Sequence, residues 1–234
     1  MYRKETIATG EIYHVFSKSI AGFKIFHGKT DYERMICAIR FYQLKEPPDK
    51  FSRYLKSESV QLNGFHECMK TDFGAEKKLV QIIAYCLMPT HVHLVLKQLT
   101  DSGLSIYMGN VLNSYARYFN TKHQRKGPLW ESRFKNVRVT SDDQLLHLTR
   151  YVHLNPVTAH LAEDAGEWEA SSYSEYLSKN AEDHRICSFE ELIDVEPIEY
   201  KKFVKERIPQ QRVLALIKNS IEMTKMSTPG VDIG

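Results

Sequence analysis

Two histidines one residue apart, His91 and His93, open a run rich in Val and Leu that ends at Lys97. Such a run favours a strand. Side chains on a strand alternate, so His91, His93 and Val95 share one face, while Val92, Leu94 and Leu96 share the other and can enter a core. Two neutral imidazoles side by side on a rigid element are a ready pair of metal ligands. In a chain with ten histidines, an H-x-H is incidental about as often as it is a ligand pair. The rest of the sequence has to separate the two.

A second group lies in Arg150-Tyr-Val-His-Leu-Asn-Pro156. Tyr151 and Asn155 are four residues apart and therefore share a helical face, with His147 one turn earlier on the same stripe. Taken singly, Tyr151 packs, Asn155 caps the helix before Pro156, and His147 and His153 sit in solvent or satisfy a local hydrogen bond. Taken with the histidine pair, they compose a chemistry for phosphodiesters. A divalent cation held by His91, His93 and an amide oxygen would polarise the phosphoryl oxygen. A tyrosine one turn from that amide would reach phosphorus and form a covalent phosphotyrosine. A free phenol has a pKa of about 10, so its proton needs a taker; water, His147 and the substrate all qualify.

A third group is basic. Between Arg117 and Arg138 stand seven cations against one acid, Glu131, interleaved with Tyr118, Phe119, Trp130 and Phe134. Cations with aromatics suit a phosphate backbone and unstacked bases, although a solvated loop beside core aromatics gives the same pattern. If the segment meets nucleic acid, Arg117, Lys122, Arg125, Lys126, Arg133 and Lys135 should contact phosphates, with Tyr118 and Trp130 against bases.

The elements that must hold these groups follow from pattern. Residues 10–18 alternate as a first strand, and Asp31 caps a helix running to Lys45, stopped by Pro47-Pro48. Residues 47–76 look like a polar, irregular excursion. A strand from Lys78 to Met88 turns at Pro89-Thr90 into the His91 strand as a hairpin. Leu104–Asn120 is an amphipathic helix broken by Gly127-Pro128, and residues 133–139 form a short strand. Ser141 and Gln144 form a capping box for a helix that Pro156 closes after Asn155. Beyond about residue 179 come charged helices at 190–193, 197–207 and 212–223, then a frayed end. A hairpin with amphipathic helices reads as α+β, one antiparallel sheet with helices packed on it. The expected division is a catalytic domain over 1–178 and a C-terminal helical extension over 179–234.

At 234 residues with 42% hydrophobic content and a mean hydropathy of −0.41, the chain can bury a sizeable core. No apolar run approaches a membrane span, and residues 1–6 lack an apolar signal region. The four cysteines, Cys37, Cys68, Cys86 and Cys187, are scattered with no C-x-x-C pair, which supports neither a zinc knuckle nor a disulfide framework. A cytoplasmic, nucleoid-associated protein fits. The net charge of +3 says little by itself.

These residues resemble the single-tyrosine HUH transposases, and among them the REP-associated tyrosine transposases of the IS200-like group. The matching stretches are Tyr13-His-Val15, the run from Ala84 to Leu96, Asn113 to Asn120, Gly127-Pro-Leu-Trp130 with Arg133-Phe-Lys135, Arg150 to Pro156, and Ser171-Ser-Tyr173 with Tyr176-Leu177. The resemblance implies a ferredoxin-like α+β domain that cuts and joins single-stranded DNA at hairpins. It implies Mg²⁺ or Mn²⁺ on His91, His93 and Asn155, and Tyr151 as nucleophile, leaving a 5′-phosphotyrosine and a free 3′-OH. The expected partner is single-stranded or hairpin DNA, with no membrane, and the chain acting as a monomer or homodimer. The segment from Pro47 to Glu76 looks expanded, and Glu169-Ala170 separates Trp168 from Ser171-Ser172 where the family has tryptophan directly before the serines.

Rival readings fail on named positions. Tyr115 and Tyr118 have Phe119 and Lys122 four residues on, not an amide or carboxylate. A histidine-triad hydrolase needs a histidine where Val95 stands, and two-histidine phosphodiesterases need a second H-x-Ser/Thr. A domesticated, non-catalytic DNA-hairpin-binding protein that retains the fold remains the alternative.

Overall fold

The computed structural model describes residues 7–73, 77–178 and 185–210. Strand β1 (Ile12–Lys18) leads to α1 (Lys29–Phe41). Three short helices follow, α2 (Phe51–Tyr54), α3 (Glu58–Asn63) and α4 (Phe65–Phe73). The hairpin of β2 (Val80–Met88) and β3 (His91–Gln98) comes next, then α5 (Gly103–Lys122), β4 (Lys135–Val139) and α6 (Asp142–Thr158). The described chain closes with α7 (Tyr173–Leu177) and α8 (Pro197–Lys205).

The strands order as β2-β3-β1-β4, with every neighbouring pair antiparallel. With α1 and α5 as its two crossovers, this β-α-β-β-α-β arrangement is the ferredoxin-like topology. The expected α+β class holds. Met88 pairs with His91, so Pro89 and Thr90 alone make the hairpin turn.

Register assigns the faces. Tyr13, Val15, Val92, Leu94 and Leu96 are buried in one apolar layer with Leu104, Tyr107, Met108, Val111 and Tyr115 of α5. Tyr107 donates to the Ile39 carbonyl and Tyr115 to that of Ile25, which ties α5 to the α1 side. The opposite face carries His14 and Phe16 from β1 with His91, His93 and Val95 from β3, since Phe16 pairs with His93 and His14 with Val95. A bulge between Ile82 and Ala84 shifts the register of β2, so that Cys86 pairs with His93 and Met88 with His91. Without that extra residue, the parity of the strand beside the histidines would reverse.

Several local expectations are corrected. Asp31 is not the cap of α1; Gly28 is, and Asp31 lies fully buried in the first turn, accepting from the His27 amide. The stretch after Pro47 is not irregular. Phe51, Tyr54, Val60, Phe65, Cys68 and Met69 form a small core of their own against Phe41 and Ala38. Helices α2 and α3, each with two apolar residues in four to six positions, are too short for a period to register, whereas Phe65, Cys68, Met69 and Phe73 of α4 do stand at helical spacing. Pro156 does not close α6, which continues to Thr158. Residues 190–193 make a turn on Phe189 and not a helix. The helix expected over 212–223 and the frayed end lie outside the described residues.

Past residue 185 the chain rejoins the main core through Ile186, Cys187, Phe189, Ile193, Tyr200 and Val204. Ala170, Ser172 and Ser188 bond to the β2 backbone and cover that edge of the sheet.

Candidate active site

Three elements converge on the histidine face. Strand β3 presents His91 and His93, whose rings stand edge to face with centroids 5.0 Å apart. Helix α6 lays Tyr151 across them: its ring is 6.0 Å from the His93 ring at 89° and 6.0 Å from the His14 ring at 79°. Strand β1 brings His14, whose Nε2 lies 3.0 Å from Nδ1 of His93, with the two rings stacked at 16°. Tyr151 of α6 therefore meets His93 of β3 and His14 of β1 within one chain.

Burial keeps two members of this cluster, His14 and His93, uncharged. Burial pushes the His14 imidazole down to about 4. Burial, aided by repulsion from His91, His14 and Lys18, holds His93 well below its ordinary value. Both rings are therefore neutral near pH 7 and keep a lone pair, as a metal ligand must. Thr90 engages Nδ1 of His91 at 2.9 Å, as His14 engages that of His93. Burial raises the Tyr151 phenol above its usual range, although the residue is 42% exposed and reachable by a large substrate.

Asn155 sits one turn on from Tyr151. Its Nδ2 donates to the Tyr151 carbonyl (3.0 Å) and to the Val152 carbonyl (3.3 Å). The Val152 carbonyl is the one that residue 156 would satisfy in an unbroken helix, and Pro156 has no N–H to give. The side-chain amide of Asn155 stands in for that bond, which explains why α6 survives its proline. With Nδ2 spent as a donor, Oδ1 is the atom left for a cation. Two imidazoles and one amide oxygen, if brought onto one ion, would make a mixed N/O donor set of the kind that suits a divalent cation with open positions. Among the described residues, no cluster of three or more His, Cys, Asp or Glu could hold a metal.

The remaining histidines of α6 point elsewhere. His147 bonds Arg150 at 2.6 Å and packs on Phe203, with Asp143 at 3.6 Å. His153, expected in solvent or in a local bond, is fully buried. It joins Tyr200 of α8 at 2.7 Å and Ser172 at 2.8 Å, and Ser172 in turn accepts from the Tyr85 amide. Tyr200 also donates to Thr149. This network fastens the tyrosine helix to β2 and α8.

The basic segment divides. Arg117, Trp130 and Arg133 line a cleft of about 740 Å³ between α5 and the 127–134 loop, with Asn113, Asn120 and Phe134. Trp130 spends its Nε1–H on the Leu112 carbonyl. Arg125 braces the loop through Asn120 and the Pro128 carbonyl. Tyr118 and Lys122 both donate to Asp31, at 2.8 and 2.5 Å. Burial alone would raise the Asp31 carboxyl; bonds from Lys122, the His27 amide and Tyr118 outweigh it and hold the group below the usual carboxylate range. Lys126 is exposed on the loop, and Lys135 is exposed on β4 opposite Phe16. The loop adjoins the histidine end of the sheet, because the Glu131 amide bonds the Lys18 carbonyl and Lys18 pairs with His91.

The residue that pattern reading missed is His14. The stretch Tyr13-His-Val15 shows an alternation that puts His14 on the less buried face of its strand, but only the pairing of β1 with β3 reveals which neighbour it meets.

Residues 52–155 match the family model described as Transposase IS200 like. Over that stretch the chain is similar to the IS200-like transposases. The matched stretch contains His91, His93, Tyr151 and Asn155 but not His14. A Haemophilus influenzae protein assigned the name REP-associated tyrosine transposase is 25% identical over 103 residues, covering 40% of this chain. That alignment spans 58% of the Haemophilus protein's length. A solved structure of a REP-associated tyrosine transposase bound to a REP hairpin is similar with a TM-score of 0.48 at 15% identity, covering 83% of this chain and 94% of that one. No helix among the described residues is long and apolar enough to cross a membrane.

Proposed function

We propose that this IS200-like relative is a DNA strand transferase that cuts single-stranded DNA at or near a hairpin through a covalent tyrosine intermediate. The observation that supports it most is the edge-on meeting of Tyr151 with His93 and His14 inside one chain. His91, His93 and Oδ1 of Asn155 would hold Mg²⁺ or Mn²⁺. When bound, such an ion supplies charge stabilisation for a phosphoryl oxygen.

The chain's own residues do the rest. The phenol oxygen of Tyr151 attacks phosphorus; the bond from phosphorus to the 3′ oxygen breaks, and the phenol proton passes to solvent or to that departing oxygen. The products are a 5′-phosphotyrosine and a free 3′-OH, so rejoining is the same step reversed. Helix α6 holds the phenol in place through the His153 network, which lowers the entropic cost of attack. Arg117 and Arg133 in the cleft, with Lys126 and Lys135 near the histidine end, would carry the DNA backbone. Tyr118, Lys122, Arg125 and Trp130 act there mainly by shaping that surface, since each already bonds within the protein. We place the catalytic unit in residues 1–178 and a C-terminal helical extension over 179–234, whose helix α8 braces α6 through Tyr200. Active-site groups from a single chain permit a monomer as well as a homodimer.

The test is a labelled single-stranded hairpin incubated with the protein and Mg²⁺ or Mn²⁺, then run on a denaturing gel. A covalent adduct is expected, absent in Tyr151→Phe and in the double variant His91→Ala with His93→Ala. Tight hairpin binding without any adduct would replace this reading with that of a non-catalytic binder.

A further inference from the structure

His14 belongs to no ligand pair, yet it is the group against which His93 is set. The contact is specific in both atoms and planes: Nε2 of His14 to Nδ1 of His93 at 3.0 Å, with ring centroids 5.2 Å apart and nearly parallel. The sheet register fixes it. His14 lies opposite Val95, one diagonal step from His93 across the central strand pair, within reach of ring side chains. Phe16, directly opposite His93, closes the other side with ring centroids 6.0 Å apart.

A neutral imidazole carries one proton on one of two nitrogens, and the hydrogen bond made by one nitrogen decides the state of the other. The His14–His93 bond can therefore run in two directions. If His14 donates, the proton of His93 is left on Nε2, and that nitrogen has no lone pair to offer. If His93 donates from Nδ1, its Nε2 becomes a ligand and the proton of His14 moves to Nδ1. Ligating histidines characteristically donate their second N–H to a neighbour that fixes tautomer and orientation. Thr90 contacts the corresponding nitrogen of His91 at 2.9 Å, but a hydroxyl can donate or accept and so selects neither tautomer.

We propose that His14 is a positioning residue: by accepting the Nδ1–H of His93, it sets the tautomer and ring angle in which Nε2 of His93 is free for a divalent cation. This rests on the reading of His91 and His93 as a cation site.

The experiment has two arms, both on the full chain. In the first, ¹⁵N-histidine NMR of the metal-free protein reads the tautomers directly. His93 is expected protonated on Nδ1, and His14 unprotonated on Nε2; a His93 protonated on Nε2 overturns the proposal without any variant. In the second, Mn²⁺ affinity is measured by titration calorimetry. His14→Phe keeps a flat ring but removes the acceptor, and its Kd is expected to rise by roughly 10–100-fold. His14→Gln, whose amide oxygen can accept, is expected to recover most of that loss. Wild-type affinity in a folded His14→Phe protein overturns the proposal, and if that variant does not fold, the NMR arm decides. A wild-type chain that binds no Mn²⁺ sinks the cation site itself; an Nε2-protonated His93 in a chain that does bind Mn²⁺ sinks only the role of His14.

Discussion

The ring of Tyr151 stands perpendicular to that of His93, at 89° with centroids 6.0 Å apart. A nucleophile placed there works as phenolate, and burial raises the phenol's pKa. Below that pKa, the phenolate fraction grows about tenfold per pH unit. Initial rates of adduct formation are therefore expected to climb from pH 7 to pH 9, by up to about tenfold per unit, without a plateau. Quenched gel assays at fixed metal concentration measure this. A flat profile over that window would mean that the proton passes to the departing 3′ oxygen during attack and not beforehand to solvent.

Asn155 serves two masters, and substitutions separate them. Its Nδ2 fills the gap left by Pro156, while Oδ1 faces the proposed ligand role. Asn155→Asp keeps the oxygens and loses the donor. It should bind Mn²⁺ at least as well as wild type, yet be less stable by about 1 kcal/mol, the worth of one such bond, or roughly 2–4 °C in Tm for a chain of this size. Asn155→Ala should lose both. Calorimetry for metal and thermal unfolding for stability give the two readouts, and an Asp variant as poor in Mn²⁺ as the Ala variant would remove Asn155 from the ligand set.

The cations of the basic segment should fall into two groups. Arg117 and Arg133 line the cleft, so replacing either with Ala should weaken binding to a single-stranded oligonucleotide and reduce the salt slope by about one unit. Lys122 is committed to the buried Asp31, so Lys122→Ala should lower Tm by several degrees and leave the salt slope nearly unchanged. Fluorescence anisotropy across a salt series decides. A Lys122 variant that behaves like the arginine variants would show that the Asp31 contact gives way to DNA.

What the sequence disclosed follows how local each signal is. The His91 strand and its hairpin were legible because two-residue alternation and Pro89-Thr90 act within a dozen residues. The Tyr151–Asn155 face was legible because helical spacing is local too. The approach of Tyr151 to His93 is one that no spacing could reveal, since it depends on α6 crossing the β2–β3 side of the sheet. His14 stayed silent for the same reason: its partner is 79 positions away and set by strand register. Helices α2 and α3 were missed because each is too short to show a period, while α4 carries its period within only nine residues of a polar stretch. Pro156 misled because the bond that rescues it comes from a neighbouring side chain.

His153 offers the last test, in the coupling of pH to stability. It is enclosed by Tyr200, Ser172, Tyr173 and Tyr176, and burial pushes its imidazole down to about 3. In the unfolded chain it titrates at about 6.5. Between these values the unfolded state holds a proton that the folded state lacks, so stability is full above about 6.5 and falls as pH drops towards 3, by up to about 1.4 kcal/mol per unit from this one group. His14, pushed down to about 4, adds to the slope over the upper part of the same window. Urea unfolding of wild type at pH 7, 5.5 and 4.5 should show this decline. His153→Gln, less stable at pH 7 because it strains the bonds to Tyr200 and Ser172, should lose less on acidification, its slope smaller by up to one proton. Equal slopes in the two proteins would mean that His153 is protonated inside the fold. The network that clamps the Tyr151 helix to Tyr200 would then have to be redrawn around a charged imidazole.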